Sequence, residues 1–214
     1  MTIELYLKAG HKGNDVGDCP FAQFIRCILN HKDISYDLKP CTQETKPEWL
    51  LKDFEGRLPC LMHNGKGTIE SSDIADYIEK TFPQKSLKTP EEVSKEVLVF
   101  FPAMVKLCKS IPEDTELEKK FLDQCQVLED LLTSSGGPYL SGASETLADY
   151  SLAPKLFHMT AIVPEFHPKV YEKLKQSFPK LNAYMTTMFD HKHFCSTTYD
   201  KQWVIEAWKV KRAL

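Results

Sequence analysis

Between Ile3 and Leu38 the apolar residues change period twice, from two to 3.6 and back to two, and that switch constrains the fold most. Ile3, Leu5 and Leu7 alternate with polar neighbours and the run closes at Lys8, which is the pattern of a half-buried strand. Gly10, Gly13 and Gly17 then make a loop. From Pro20 onward Phe21, Phe24, Ile25, Ile28 and Leu29 form an i, i+3, i+4, i+7, i+8 stripe, so the segment is a helix with one face on a sheet. Ile34, Tyr36 and Leu38 alternate again. A helix between two strands predicts a crossover unit with parallel pairing.

Cys19 sits where the loop becomes the helix, in Gly17-Asp18-Cys19-Pro20-Phe21. Helix N-termini expose unpaired N–H groups and the positive end of the dipole, and a thiol there has its pKa lowered, to about 3.5–7.5 in known cases. Pro20 suits the first helical position because its missing N–H needs no partner there. A lone cysteine is more often a small buried hydrophobe, and the strand-loop-helix setting is what raises Cys19 above that. Ala22 stands where the second cysteine of a dithiol pair would be, so the site is monothiol and needs an external thiol. Asp18 opposes thiolate formation. Two roles stay open for it, a partner for the loop or an acceptor for a substrate hydroxyl.

Further on, Lys46-Pro47-Glu48-Trp49-Leu50-Leu51 reads as a short helix. Leu61-Met62 and Thr68-Ile69 read as hairpin arms about the Asn64-Gly65 turn. Glu70-Ser71-Ser72-Asp73 starts a helix carrying Ile74, Tyr77 and Ile78, with Ser71 or Ser72 as its cap. The order β-α-β-α-β-β-α is thioredoxin-like. Residues 83–90, with two prolines and little periodicity, read as a linker between domains at 1–82 and 91–214. The second domain reads as all-helical, with stretches from Val93 to Lys109, Leu117 to Leu132, Tyr150 to Met159 and Tyr199 to Lys211. Gly136-Gly137-Pro138 interrupts the pattern, and Pro164, Pro168 and Pro179 punctuate it. Thr146-Leu147-Ala148-Asp149 is a near capping box with Asp in place of Glu.

Lys8, at the end of the first strand, joins Lys46 as a candidate holder of an anionic ligand and a thiolate. If the Leu58-Pro59 bond is cis, the Leu58 backbone offers N–H and C=O to an extended peptide. Ser71, beside Glu70 at a helix start, suits a carboxylate. His158 and Trp208 read by spacing alone as a structural histidine and a core tryptophan. Net charge is −3, so no global field recruits nucleic acid or anionic membrane. No apolar run reaches the ~18 residues of a membrane span. Seven cysteines at irregular spacing, with no C-x-x-C, write neither a zinc site nor a redox pair and suit a reducing compartment. No metal is expected. The N-terminus shows no leader, so the expected compartment is the cytoplasm, or the chloroplast if a transit peptide has been trimmed.

Taken together, Lys8, the Asp18-Cys19-Pro20-Phe21 element, Lys46-Pro47-Glu48-Trp49, Leu58-Pro59, Glu70-Ser71, Ser86 to Pro90 and Ser151-Leu152-Ala153-Pro154-Lys155-Leu156 resemble the glutathione-dependent dehydroascorbate reductases of plants and algae. These belong to the glutathione S-transferase superfamily, and the resemblance spans nearly the whole chain. It implies a thioredoxin-like domain followed by an all-α domain, usually as a monomer, and reduction of dehydroascorbate with glutathione as cosubstrate. It assigns Cys19 as nucleophile, Lys8, Asp18, His158 and Trp208 to the substrate pocket, and Lys46, Leu58, Pro59, Glu70 and Ser71 to glutathione. One departure is Ala22, where the family usually has Ser, so no hydroxyl assists the thiolate there. Two other readings compete. One is a general glutathione-dependent thiol transferase. The other is a membrane-associating protein like the chloride intracellular channels, which share the Cys-Pro-Phe element; Arg26 and the short apolar stripe of the first helix disfavour it.

Overall fold

A computed structural model describes residues 2–111 and 114–213, which divide into two units. The first unit begins with β1 (Ile3–Lys8), whose Ile3, Leu5 and Leu7 are buried while the intervening residues are not. Then follow α1 (Pro20–His31), β2 (Tyr36–Cys41), α2 (Glu48–Phe54), β3 (Cys60–His63), β4 (Lys66–Ile69) and α3 (Ser71–Thr81). The sheet order is β2-β1-β3-β4. β1 runs parallel to β2, with Leu5 opposite Leu38, and antiparallel to β3, with Leu5 also opposite Leu61. The crossover through α1 requires that parallel pairing. The β3–β4 hairpin turns at Asn64 and Gly65, both at positive φ (53° and 74°), which glycine and asparagine tolerate best.

α1 buries Phe24, Ile25, Ile28 and Leu29, as the stripe predicts, but Phe21 in its first turn is exposed. Leu38, on the edge strand β2, is also exposed although its alternation is strand-like. Ile34 lies before β2, its N–H bonded to Leu29 O at 2.9 Å.

The second unit is helical among the described residues: α4 (Glu91–Lys109), α5 (Thr115–Ser135), α6 (Leu147–Phe166), α7 (Pro168–Ser177), α8 (Pro179–Phe189), α9 (Lys192–Cys195) and α10 (Lys201–Ala213). Asp114 caps α5 by accepting from the Glu116 and Leu117 amides, and Gly136 ends it at φ 67°. The box at Thr146 and Asp149 forms in full. α6 runs on through Pro154 and Pro164 instead of stopping near Met159. A helix-interior proline costs about 3 kcal/mol; here a largely buried helix packed on α4, α7, α8 and α10 offsets it. Pro168 and Pro179 sit at the first positions of α7 and α8.

The last helix starts later than the periodicity suggests. Asp200 accepts from the Gln202 amide at 2.8 Å, and α10 begins at Lys201. Ser196–Tyr199 therefore lies outside any helix, and this short return of the chain groups with the first unit.

Candidate active site

The loop after β1 is folded back on the strand it leaves. Ala9 donates to Cys41 O (2.9 Å), Ala9 and Val16 form an antiparallel bridge, and Gly17 donates to Lys8 O (2.9 Å). A Cβ on Gly17 would lie 2.6 Å from Ala9 O and 2.7 Å from Lys8 O, so only glycine permits this approach. The loop thus returns Asp18 to the end of β1, where Lys8 Nζ meets Asp18 Oδ1 at 2.5 Å. Asp18 is buried while Lys8 is half exposed, and the ion pair ties the loop to the end of β1. It also means that the Lys8 charge is shared and is not at the disposal of the thiol alone.

Cys19 is the N-cap of α1, with extended backbone (φ −81°, ψ 115°) and no side-chain hydrogen bond closing the cap. It is half-buried. Burial pushes its thiol above the ordinary cysteine value; the amides of Ala22 and Phe21 pull it down, Asp18 raises it and Lys8 lowers it. Removal of the sulfur from water thus works against the lowering that the helix start supplies. Two turns on, Cys27 is fully buried against Thr197 Oγ1 at 3.3 Å, and burial raises it to about 12. All seven cysteines are free thiols.

The other residues assigned to this unit are also placed. Lys46 Nζ donates to Gln43 Oε1 at 2.5 Å and so keeps a partner beside its own loop. The Leu58-Pro59 bond is cis. Glu70, not Ser71 or Ser72, is the N-cap of α3, and no side chain closes that cap. Its φ of 61° is unusual for a glutamate, and its carboxylate accepts from Arg57 Nη1 at 3.3 Å. Ser71 is the first residue of α3. In the helical unit, His158 on α6 and Trp208 on α10 are brought together: Trp208 Nε1 donates to His158 Nδ1 at 3.2 Å, both side chains buried.

Two residues were not singled out by spacing. Gln23, four positions after Cys19 on α1, is 1% exposed, and neither atom of its amide has a hydrogen-bond partner among the described residues. Its polarity inside an apolar stripe was the available signal. Tyr199 carried none, because its neighbours suggest the start of a helix. Among the described residues no group of three His, Cys, Asp or Glu side chains is set to hold a metal, and no helix is long and apolar enough to cross a membrane.

The family model for the glutathione S-transferase N-terminal domain matches residues 15–86, and the one for the C-terminal domain matches 113–187. Glutathione S-transferase DHAR2 of Arabidopsis thaliana is 31% identical over 213 residues, covering 99% of each chain. The probable cytosolic glutathione S-transferase DHAR1 of Oryza sativa subsp. japonica is 32% identical, again over 99% of each. Chloroplastic DHAR3 of Arabidopsis thaliana is 32% identical over 98% of this chain and 80% of its own. In fold, the chain is similar to the dehydroascorbate reductase of Chlamydomonas reinhardtii, with a TM-score of 0.81, 22% identity and 98% of each chain covered.

Proposed function

Because the chain belongs to the glutathione S-transferase family, we propose that it reduces dehydroascorbate to ascorbate at Cys19, with two glutathiones oxidised to their disulfide. The observation that carries this reading is Cys19 as the N-cap of α1, with the Ala22 and Phe21 amides favouring its anion. The likeness to the DHAR proteins supports the substrate.

The Cys19 thiolate is the reacting species. With dehydroascorbate and one water it gives Cys19 sulfenic acid and the ascorbate anion. Two electrons pass from sulfur to dehydroascorbate, and water supplies the sulfenic oxygen and the protons. Glutathione then condenses with the sulfenic acid, releasing water and leaving a mixed disulfide. A second glutathione thiolate attacks the glutathione sulfur of that bond, so the oxidised tripeptide leaves and Cys19 departs as thiolate. No second cysteine of the protein enters the cycle. Cys27, the other cysteine on α1, is held protonated by its burial.

For glutathione, the Leu58 backbone beside Pro59, the uncapped start of α3 at Glu70-Ser71, and Lys46 are the proposed contacts. A carboxylate suits free amides at a helix start. Lys8 and Asp18 are proposed substrate contacts as an ion pair, and His158 and Trp208 as a second, hydrogen-bonded pair.

The test measures glutathione disulfide formation with dehydroascorbate, and in parallel with a glutathione mixed disulfide, for the wild type and Cys19→Ser. The wild type is expected to prefer dehydroascorbate, and Cys19→Ser to lose roughly 10³-fold or more in rate. Substantial activity in Cys19→Ser sinks the mechanism. A preference for the mixed disulfide makes the protein a general thiol transferase instead.

A further inference from the structure

The most apolar stretch of α4 is not fully covered. Val97 and Phe100 are buried, but Leu98 is 61% exposed and Val99 46%. Both line a groove of about 370 Å³ between α4 and α5, a volume within the roughly 300–1,000 Å³ of small-molecule pockets. The groove lies wholly in the helical unit. Pro102 and Ala103 continue its apolar wall on α4, and Leu117 supplies one on α5. Gln124 also lines it, with a buried Oε1 that has no hydrogen-bond partner among the described residues. The residue as a whole is only half-buried, so rotation of its side chain presents that oxygen to an occupant. Pro102, inside α4, has no N–H to offer the Leu98 carbonyl, which removes a donor from the same wall. The groove is therefore richer in acceptors than in donors.

Charge sits at its edge. Lys120 pairs with Glu116 and Asp123 with Lys119, each at 3.4 Å, while Lys106 has no ion pair among the described residues. α4 ends at Lys109 and α5 begins at Thr115, and the two helices pack on each other. Packed helices joined by so short a connection run antiparallel. Lys106, Leu117 and Lys120 therefore share the end of the groove near that connection, and Leu98, Val99 and Gln124 lie toward the other end. From Val99 to Lys106 the helix rises about 10 Å. We propose that this groove binds a small aromatic carboxylate with a hydroxyl or N–H donor at its far end. The carboxylate meets Lys106 beside Lys120, the ring lies on Pro102 and Ala103, and the donor reaches Gln124 Oε1. None of these residues belongs to the proposed glutathione or dehydroascorbate contacts, so the inference does not depend on the reductase reading.

The test is titration calorimetry on the full-length protein with 4-hydroxycinnamate as the probe, in the absence of glutathione and dehydroascorbate. Two further probes serve as controls: 4-methoxycinnamate lacks the donor, and 4-hydroxycinnamyl alcohol lacks the charge. The wild type is expected to bind the acid at one site, with a Kd on the order of 0.1–1 mM for so small a molecule. Each control is expected to bind roughly 3- to 10-fold more weakly. Lys106→Gln should weaken the acid roughly 3-fold and abolish the salt dependence of its binding. Gln124→Met, of similar length but without the acceptor, should make the hydroxy and methoxy acids bind alike. Thermal melts establish that both variants are folded, and the three probes on the wild type decide the question without them. Absence of saturable binding below about 10 mM overturns the proposal. So does equal affinity of the wild type for all three probes. Binding of the acid that neither substitution changes places it elsewhere on the protein and overturns the proposal as well.

Discussion

The starts of α1 and α6 solve the same problem in opposite ways. At α6 the Asp149 carboxylate accepts from the amides of Leu140 (3.0 Å) and Thr146 (2.8 Å), the Thr146 hydroxyl (2.8 Å) and the Tyr184 hydroxyl (3.0 Å). At α1 the cap is a thiol faced by the Ala22 and Phe21 amides. Both acids are raised by burial, Asp149 in spite of its donors. One helix start contributes stability, and the other leaves donor capacity for a charge that develops on sulfur. A carboxylate in the first turn holds its donors permanently; a thiol at the cap faces its amides as a group that can ionise.

Substitutions that exchange the two roles test the contrast. The loss of turnover in Cys19→Ser is the largest effect expected, with stability moved by no more than about 0.5 kcal/mol. Asp149→Ala should show the reverse. It leaves four buried donors without their acceptor, so denaturant unfolding should report a loss of about 3 kcal/mol, while activity per folded molecule stays near wild type. An active-site defect in Asp149→Ala at temperatures where it is folded would break the comparison.

Gly17→Ala sits between the two. The added methyl meets backbone oxygens that have no rotamer by which to yield. The expected outcome is a loss of about 2 kcal/mol together with reduced activity, because the same loop carries Asp18 and Cys19. Thermal melts and initial rates on one preparation check both.

The smallest effect concerns Cys27, whose folded pKa of about 12 lies above the unfolded cysteine value. Its contribution to stability is complete below about pH 8.5. Above that the unfolded chain loses its proton while the folded one keeps it, so stability falls as pH rises toward the folded value. Cys27→Ser should remove about 1 kcal/mol of that fall at pH 9.5 and leave turnover intact. Unfolding curves at pH 7.5 and 9.5 measure it. If Cys27→Ser instead altered turnover, the division of labour between the two thiols on α1 would be wrong.

What could be read from the chain was local. β1, α1, the Asn64-Gly65 hairpin and the Thr146–Asp149 box all follow from period and turn chemistry within a dozen residues. Lys8, Asp18 and Cys19 were visible as residue types, but the Lys8–Asp18 ion pair depends on a loop that doubles back, and spacing does not show that. The upward shift of Cys19 depends on how much surrounding matter keeps water away, which only three dimensions supply. Ser71 looked like a cap because serine usually is one; the backbone puts Glu70 there at positive φ. The return at Ser196–Tyr199 was the hardest to see, since Thr197 is held by bonds to residues some 170 positions earlier.

That return of the chain carries a consequence for the order of assembly. On the ribosome Cys19 emerges early, with the strands that frame it, yet Thr197 and Tyr199 follow only after the helices from α4 to α9 have been made. A chain that folds its leading half as it is synthesised therefore holds Arg26 and Cys27 without the Thr197 contacts until the helices through α9 have been made.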